Sequence, residues 1–252
     1  MASPLMLKSP LLEVPHGFTT REGGVSSAPF HSLNLGISTA DRPDHVLENQ
    51  RRVLAAFGYP PVVSLRQVHS NRVHVVEEAG EWEGDGVLTS TPGLLLRVSV
   101  ADCYPILLHD PVRQVVGALH AGWRGVVLGI LPRALEQMRV CYGSSPDDIR
   151  VAVGPGISAS NFQVGPEVLE QFERQGLAFA WPDPEHPGRY RLDLEHAIRT
   201  QAQKAGIPPQ HYWALGRCTY ADPVFFSHRR DRGQTGRMWA LIMLPVPGSQ
   251  GT

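Results

Sequence analysis

Residues 94–131 read LLLRVSVADCYPILLHDPVRQVVGALHAGWRGVVLGIL, and this stretch organises the chain. Leu94–Val100, Ile106–Leu108 and Val115–Leu119 are short apolar runs bounded by turn residues, the pattern of buried strands. The first run ends at Asp102 and Cys103. The last ends at His120, followed by Gly122, Trp123, Arg124 and Gly125. A thiol and an imidazole at the ends of neighbouring strands can meet in space. A second imidazole, His69 in RQVHSN, lies at the edge of an earlier strand-like run. We read Cys103, His120 and His69 as one site and the rest of the chain as its scaffold.

Outward from this stretch, Val62–Leu65 and Val73–Val76 read as strands around the His69 turn, and Gly84–Gly86 as a turn carrying Asp85. A helix is expected over Pro43–Phe57, closed by Gly58. Another is expected from about Gly125 to Cys141, closed by Gly143, with Pro132 imposing a kink or a start near Leu131. Ile149–Val153 reads as a strand, Pro166–Gly176 and Asp193–Ala205 as helices, and Tyr212–Leu215 and Met238–Leu244 as strands. Residues 1–15 look like an extended arm or edge strand, 245–252 like a tail. His16–Gly36 and the Pro-rich 181–190 read as loops. Strands and helices are mixed without strict alternation, so the expected fold is α+β, with layered mixed sheets flanked by helices in a single domain over 1–252.

Composition narrows the function. The formal charge over 252 residues is −1, with no like-charge block, which argues against nucleic acid or an anionic membrane as partner. Three distant cysteines, Cys103, Cys141 and Cys218, do not make a disulfide framework, so a reducing compartment is expected. The N-terminus lacks a signal-peptide pattern, and Arg97 and Asp102 interrupt the longest apolar candidate for a membrane span. The expectation is a soluble cytoplasmic protein, monomeric or homodimeric.

The thiol and two imidazoles suit zinc or copper with an open fourth position. The same residues also suit a metal-free nucleophile, with Cys103 attacking, His120 as its base and Asp102 or Asp85 orienting it. The bland alternative is a buried cysteine and two satisfied histidines. Arg124 follows a strand end and opens a helix, a place that attracts phosphate or carboxylate. Arg217, Arg229, Arg230, Arg232 and Arg237 form an arginine-dense loop in which Phe225 and Phe226 are expected anchors, with His228 beside Arg229 the pair most worth testing. Gly154, Gly156 and Ala159 mimic a dinucleotide fingerprint, but Pro155 removes a backbone donor and no helix follows directly. HExxH, CxxC, GxSxG and Walker motifs are absent, as are histidines separated by one residue, the paired ligands of a conventional multicopper laccase.

FTTREGGVSSAPFHSLNLG (18–36), RQVHS (66–70), ADCYP (101–105), HAGWRG (120–125), VGPG (153–156) and residues 218–238 together resemble the YfiH-like, or polyphenol oxidase (laccase-domain), family. The resemblance runs from about Gly17 to Leu244. It implies a layered α+β fold similar to that of a bacterial cytotoxic deamidase. It implies zinc, or copper, at His69, Cys103 and His120, and phosphorolysis of adenosine, inosine or methylthioadenosine with adenosine deaminase side activity. A small-molecule nucleoside and phosphate would then be the partners, with Arg124, Asp85 and Arg229 as candidate substrate or phosphate contacts and Asp102 as a candidate proton carrier. Two alternatives stand beside it: a metal-free Cys–His hydrolase of amide bonds, as in editing of peptidoglycan precursors, and a copper-dependent polyphenol oxidase. One departure is visible. The family pattern carries an Asn-Arg pair after the acidic turn near Asp41, whereas Asn49 is followed here by Gln50 and then Arg51.

Overall fold

In the computed structural model, which describes residues 4–248, two six-stranded sheets stack face to face with helices on both outer sides. The first sheet has the order β1 (Met6–Leu7), β2 (His16–Thr19), β15 (Met238–Ile242), β7 (Leu95–Val100), β3 (Val62–Arg66), β5 (Gly80–Glu83). The second has the order β14 (Tyr212–Ala214), β10 (Arg150–Val153), β8 (Tyr104–Asp110), β9 (Val115–Ala121), β6 (Gly86–Thr89), β4 (Val73–Val75). A small third sheet, β11 (Gln163–Val164), β13 (Tyr190–Leu192) and β12 (Ala180–Pro182), is appended to the second. Parallel and antiparallel pairs coexist, so the α+β expectation of layered mixed sheets holds.

Period-two alternation explains why the decisive runs are apolar throughout. On β8, Leu107 points between the sheets while Ile106 and Leu108 point to the helices. On β9, Val116 and Ala118 point between the sheets, and Val115 and Leu119 face the helices. On β7, Leu96 and Val98 fill the inter-sheet core with Phe18, Val63, Ala240 and Ile242. Helix α1 (Pro43–Ala55) covers the outer face of the first sheet through Val53, against Leu33, Leu35, Leu95, Trp239 and Leu241. Helices α3 (Ile130–Tyr142) and α5 (Leu194–Lys204) cover the second sheet, and α4 (Pro166–Arg174) packs Val168 and Phe172 into the same cluster.

The helix expected from about Gly125 is two, α2 (Trp123–Val127) and α3, and α3 begins at Ile130, in line with the start expected near Leu131. Gly129 between them is left-handed, at φ 78°, which breaks the first and starts the second. Pro132 then falls in the first turn of α3, where its missing N–H costs nothing. The Gly143 close is as expected, with a left-handed φ of 70°. His16–Thr19, expected as loop, is the buried strand β2, and β12 and β13 border the Pro-rich 181–190 segment. These strands, with β5 and β6, escape the pattern because three or four residues hold too little periodicity. The arm forms β1 from residue 6; residues 1–3 and 249–252 of the expected arm and tail lie outside the described residues. No described helix is long and apolar enough to cross a membrane.

The segment holding Asn49 is a structural clamp. The buried Asn49 side chain accepts from the Val25 amide and donates to Ser26 Oγ and to the Ser32 and Asn34 carbonyls. Gln50 donates to the Leu35 carbonyl. These bonds hold the long 20–39 loop against α1.

Candidate active site at the sheet crossings

Three times the chain leaves the first sheet and enters the second at the same end of the stack. The crossings are β3 to β4 through residues 67–72, β5 to β6 through Gly84 and Asp85, and β7 to β8 through residues 101–103. They carry His69, Asp85, and Asp102 with Cys103. His120 arrives at the end of β9, paired with Pro105 on β8, and its amide donates to the Asp85 carbonyl at 2.7 Å. Strands that switch sheets make corners, and corners place side chains that a regular ladder would separate. Two of these residues are left-handed, His69 at φ 59° and Asp102 at φ 85°. That conformation is rare outside glycine but accessible to Asp and His.

The ligand atoms of His69, Cys103 and His120 all lie within 4.8 Å of one another. The two imidazole rings meet edge to face with centroids 4.8 Å apart. Gly122 completes the packing: a Cβ there would stand 3.0 Å from His69 Cδ2 and 3.1 Å from Cys103 Sγ. His120 is 4% exposed and Asp85 0%. The Asp85 carboxylate accepts from His120 Nδ1 at 2.8 Å and from the His69 amide at 3.0 Å. Its second oxygen accepts from the Ser70 amide and hydroxyl at 2.6 and 2.7 Å. An ionised carboxylate only accepts, so Nδ1 carries the proton and Nε2 faces Cys103. Burial pushes the Asp85 carboxyl up, but the bonds from His120 and Ser70 prevail and bring it to about 2. Burial likewise raises the Cys103 thiol, and the charge and hydrogen bonds of His120 and His69 outweigh it, to about 6. Burial lowers His120, and the Cys103 thiolate and Asp85 raise it, to about 9. The directions of these shifts favour a thiolate beside an imidazolium, backed by a carboxylate.

The donor set could hold a metal ion. One thiolate and two imidazoles are zinc or copper ligands. A carboxylate behind a ligating histidine is the usual outer partner that fixes its tautomer.

Asp85 was expected at substrate or phosphate. Fully buried and anionic, it is absent from the cavity wall and holds His120 and the His69 turn instead. Asp102 lines the cavity, but both oxygens are engaged at 2.7 Å, one by the Thr219 hydroxyl and one by the Arg229 amide. It latches the 218–237 loop onto the corner, rather than waiting as a free proton carrier. Phe225 and Phe226 anchor that loop, both 0% exposed, and Arg230 braces it through carbonyls of Thr219, Tyr220 and Phe225. Arg124 is exposed, with its guanidinium 4.3 Å over the Trp123 ring, and is not among the residues lining the cavity.

The His69, Cys103 and His120 group opens into a cavity of about 630 Å³, within the range of small-molecule sites. Trp123, Ile157 and Phe162 supply apolar lining, the Leu35–Ser38 loop, Gln67, Arg97 and Arg237 line it as well, and His228 and Arg229 are among its exposed members. Arg229 lies over Phe162 at 5.6 Å and donates to the Gln163 carbonyl. Gln67 and Arg97 are site residues the sequence reading missed. The signal for Arg97 was a cation inside an apolar strand, where an inward-facing residue could not be charged.

Comparison with known proteins agrees with this fold. A Deinococcus radiodurans protein named purine nucleoside phosphorylase is 48% identical over 95% of this chain and 93% of its own length. The Escherichia coli protein named purine nucleoside phosphorylase YfiH is 37% identical over 90% and 92%. Among solved structures, the Bacillus licheniformis hypothetical protein YfiH superposes with a TM-score of 0.90 at 36% identity, covering 96% of this chain and 97% of its own. YlmD from Geobacillus stearothermophilus superposes at 0.89 and 35%, covering 97% of each. The model of the multi-copper polyphenol oxidoreductase laccase family matches residues 15–245. With nearly the whole chain matched in sequence and in fold, the protein belongs to this laccase-like family, alongside the YfiH and YlmD proteins.

Proposed function

We propose that this chain is a cytoplasmic, metal-dependent purine nucleoside phosphorylase acting on adenosine, inosine or methylthioadenosine, with adenosine deaminase side activity. The observation that carries the reading is the convergence of His69, Cys103 and His120 on one side of a cavity with an aromatic wall. The names of the relatives supply the substrate class. Zinc, or copper, held by these three residues would supply Lewis-acid chemistry beside the bound base. The chain's own residues do the rest. Asp85 keeps His120 in one tautomer and one orientation. Trp123 and Phe162 offer flat apolar surface for a purine, and Arg229 closes the mouth over Phe162. Asp102 acts as a positioning residue by holding Arg229 and Thr219 in place. In phosphorolysis a phosphate oxygen bonds to the ribose C1′ while the bond to the purine nitrogen breaks. The departing base takes the electron pair, and positive charge develops on the sugar as in glycoside cleavage.

The test is a chromatographic assay of purified protein with adenosine, with and without phosphate, before and after chelation. Adenine that forms only with phosphate and disappears with the metal is the expected result. Inosine formed without phosphate would shift the reading to deamination, and no turnover in either condition would sink it.

The Cys103–His120–Asp85 line supports a second reading, a metal-free hydrolase of amide bonds, as in peptidoglycan-precursor editing. A thiol alkylator would then abolish activity and a chelator would leave it intact. A copper-dependent polyphenol oxidase fits less well, because among the described residues one candidate metal group is assembled, not several. Oxygen uptake with a phenol tests it directly.

A further inference from the structure

Arg97 is the one charged residue of β7. Its neighbours Leu96 and Val98 face the inter-sheet core, so Arg97 faces the other way, toward the α1 side, where Leu95, Trp239 and Leu241 also point. Its guanidinium carbon sits 4.4 Å over the Trp239 ring. Its hydrogen bonding is nearly unspent: one long contact of 3.4 Å runs from Nη1 to Ser99 Oγ, and no carboxylate pairs with it among the described residues. A guanidinium carries five N–H donors in a fixed fork. Burial pulls Arg97 down to about 10, with Glu81 opposing through space, so it stays charged at neutral pH.

Arg237 lies on the same face, two residues before Trp239, and lines the same cavity. It donates to the Thr235 and Gly236 carbonyls and likewise has no carboxylate partner. Gly36 leaves it room: a Cβ there would come within 2.6 Å of Arg237 Cγ. Of the other cavity charges, Arg66 pairs with Glu83 and Asp102 is saturated, while the exposed Glu81 acts on Arg97 through space alone. Two half-buried guanidiniums facing a cavity, each without a direct carboxylate partner and opposed only through space by Glu81, Asp102 and Cys103, keep donors free for an anion, and a planar fork is the group best suited to a phosphoryl oxyanion.

We propose that Arg97, with Arg237 on the same face of the sheet, forms a phosphoryl-oxyanion subsite in the wall of the cavity that Phe162 also lines. Its ligand is either free inorganic phosphate or the phosphate ester of a nucleotide. The assignment rests on reading the cavity as a nucleoside site, and it moves phosphate recognition away from Arg124.

The experiment measures binding of inorganic phosphate, adenosine and adenosine 5′-monophosphate to the full chain by titration calorimetry. Wild type is compared with Arg97→Met, Arg97→Lys and the exposed-surface control Arg133→Met. Arg97→Met is expected to weaken phosphoryl binding about 10-fold or more while adenosine affinity stays within about 2-fold, with partial recovery in Arg97→Lys. If the monophosphate binds no more tightly than adenosine, the ligand is free phosphate. If it binds more tightly and Arg97→Met erases the gain, the ligand is the ester. A second measurement uses wild type alone: phosphate should protect Arg97 from modification by phenylglyoxal, read by mass spectrometry. Unchanged phosphoryl affinity in Arg97→Met, or an Arg97 that phosphate leaves unprotected, overturns the subsite. Binding does not require turnover. Arg97-dependent phosphate binding without adenine formation would therefore sink the phosphorylase reading and leave the subsite standing.

Discussion

Two of the three crossings between the sheets carry a buried aspartate, and the two aspartates do different work. At the β5–β6 crossing, Asp85 turns inward and spends its oxygens on the machinery: His120, the His69 amide and Ser70. At the β7–β8 crossing, Asp102 turns outward and spends its oxygens on the cavity wall: Thr219 and the Arg229 amide. One carboxylate sets the chemistry of a neighbouring imidazole, and the other sets the shape of the pocket. Residue type and burial are alike; the partners that the fold delivers make the difference.

Removing a ligand should have the largest effect and bypass both aspartates. Cys103→Ala is expected to abolish metal retention after dialysis and reduce phosphorolysis by more than the roughly 100-fold upper range of outer-partner losses. Full metal content and full activity in this variant would refute the site. Asp85→Asn comes next. It should cost about 10–100-fold in metal affinity with the ligands intact, measured by competition with a chromophoric chelator. If Asp85 merely filled space, the affinity would not move.

Asp102→Asn should invert that pattern. Metal content is expected to hold, while the 218–237 loop becomes more sensitive to proteolysis and unfolding stability drops by about 1.5–3 kcal/mol for each weakened charged hydrogen bond. Loss of metal with an unchanged cleavage pattern would show that the two aspartates are not separable. Acid unfolding sharpens the comparison further. The Asp85 pKa is depressed from 3.8 to about 2, so the carboxylate contributes stability that is present above pH 4 and lost as pH falls toward 2. Wild type should therefore show a stability loss in that window that Asp85→Asn lacks, followed by circular dichroism. The smallest effect is expected from Gly122→Ala. Its methyl would press on His69 and Cys103 at 3.0–3.1 Å, an overpacking of about 1–3 kcal/mol. An unchanged melting temperature would show that this end of the site yields.

The strands 95–100, 104–110 and 115–121 were legible because burial on both faces demands unbroken apolar runs. The His–Cys–His group was legible because reactive side chains stood where those runs stopped. The four-residue strands β2, β5 and β6 were not; the helix break near Leu131 was legible from Pro132, but its left-handed Gly129 was not. The roles of Asp85 and Asp102, the outward turn of Arg124 and the exposure of Arg97 to the cavity depended on which distant segments arrive beside each. Asp102 meets Thr219 across 117 positions of chain, and Asp85 meets His120 across 35.

By itself, then, the sequence determined the layered α+β class, the buried strands and the identity of the thiol and imidazoles, because hydropathy period and residue chemistry are local properties. Only the tertiary structure decided that three crossings share one end of the stack, which carboxylate holds His120, and which arginines face the cavity. Those outcomes belong to pairings between residues far apart in the chain, which no local pattern encodes.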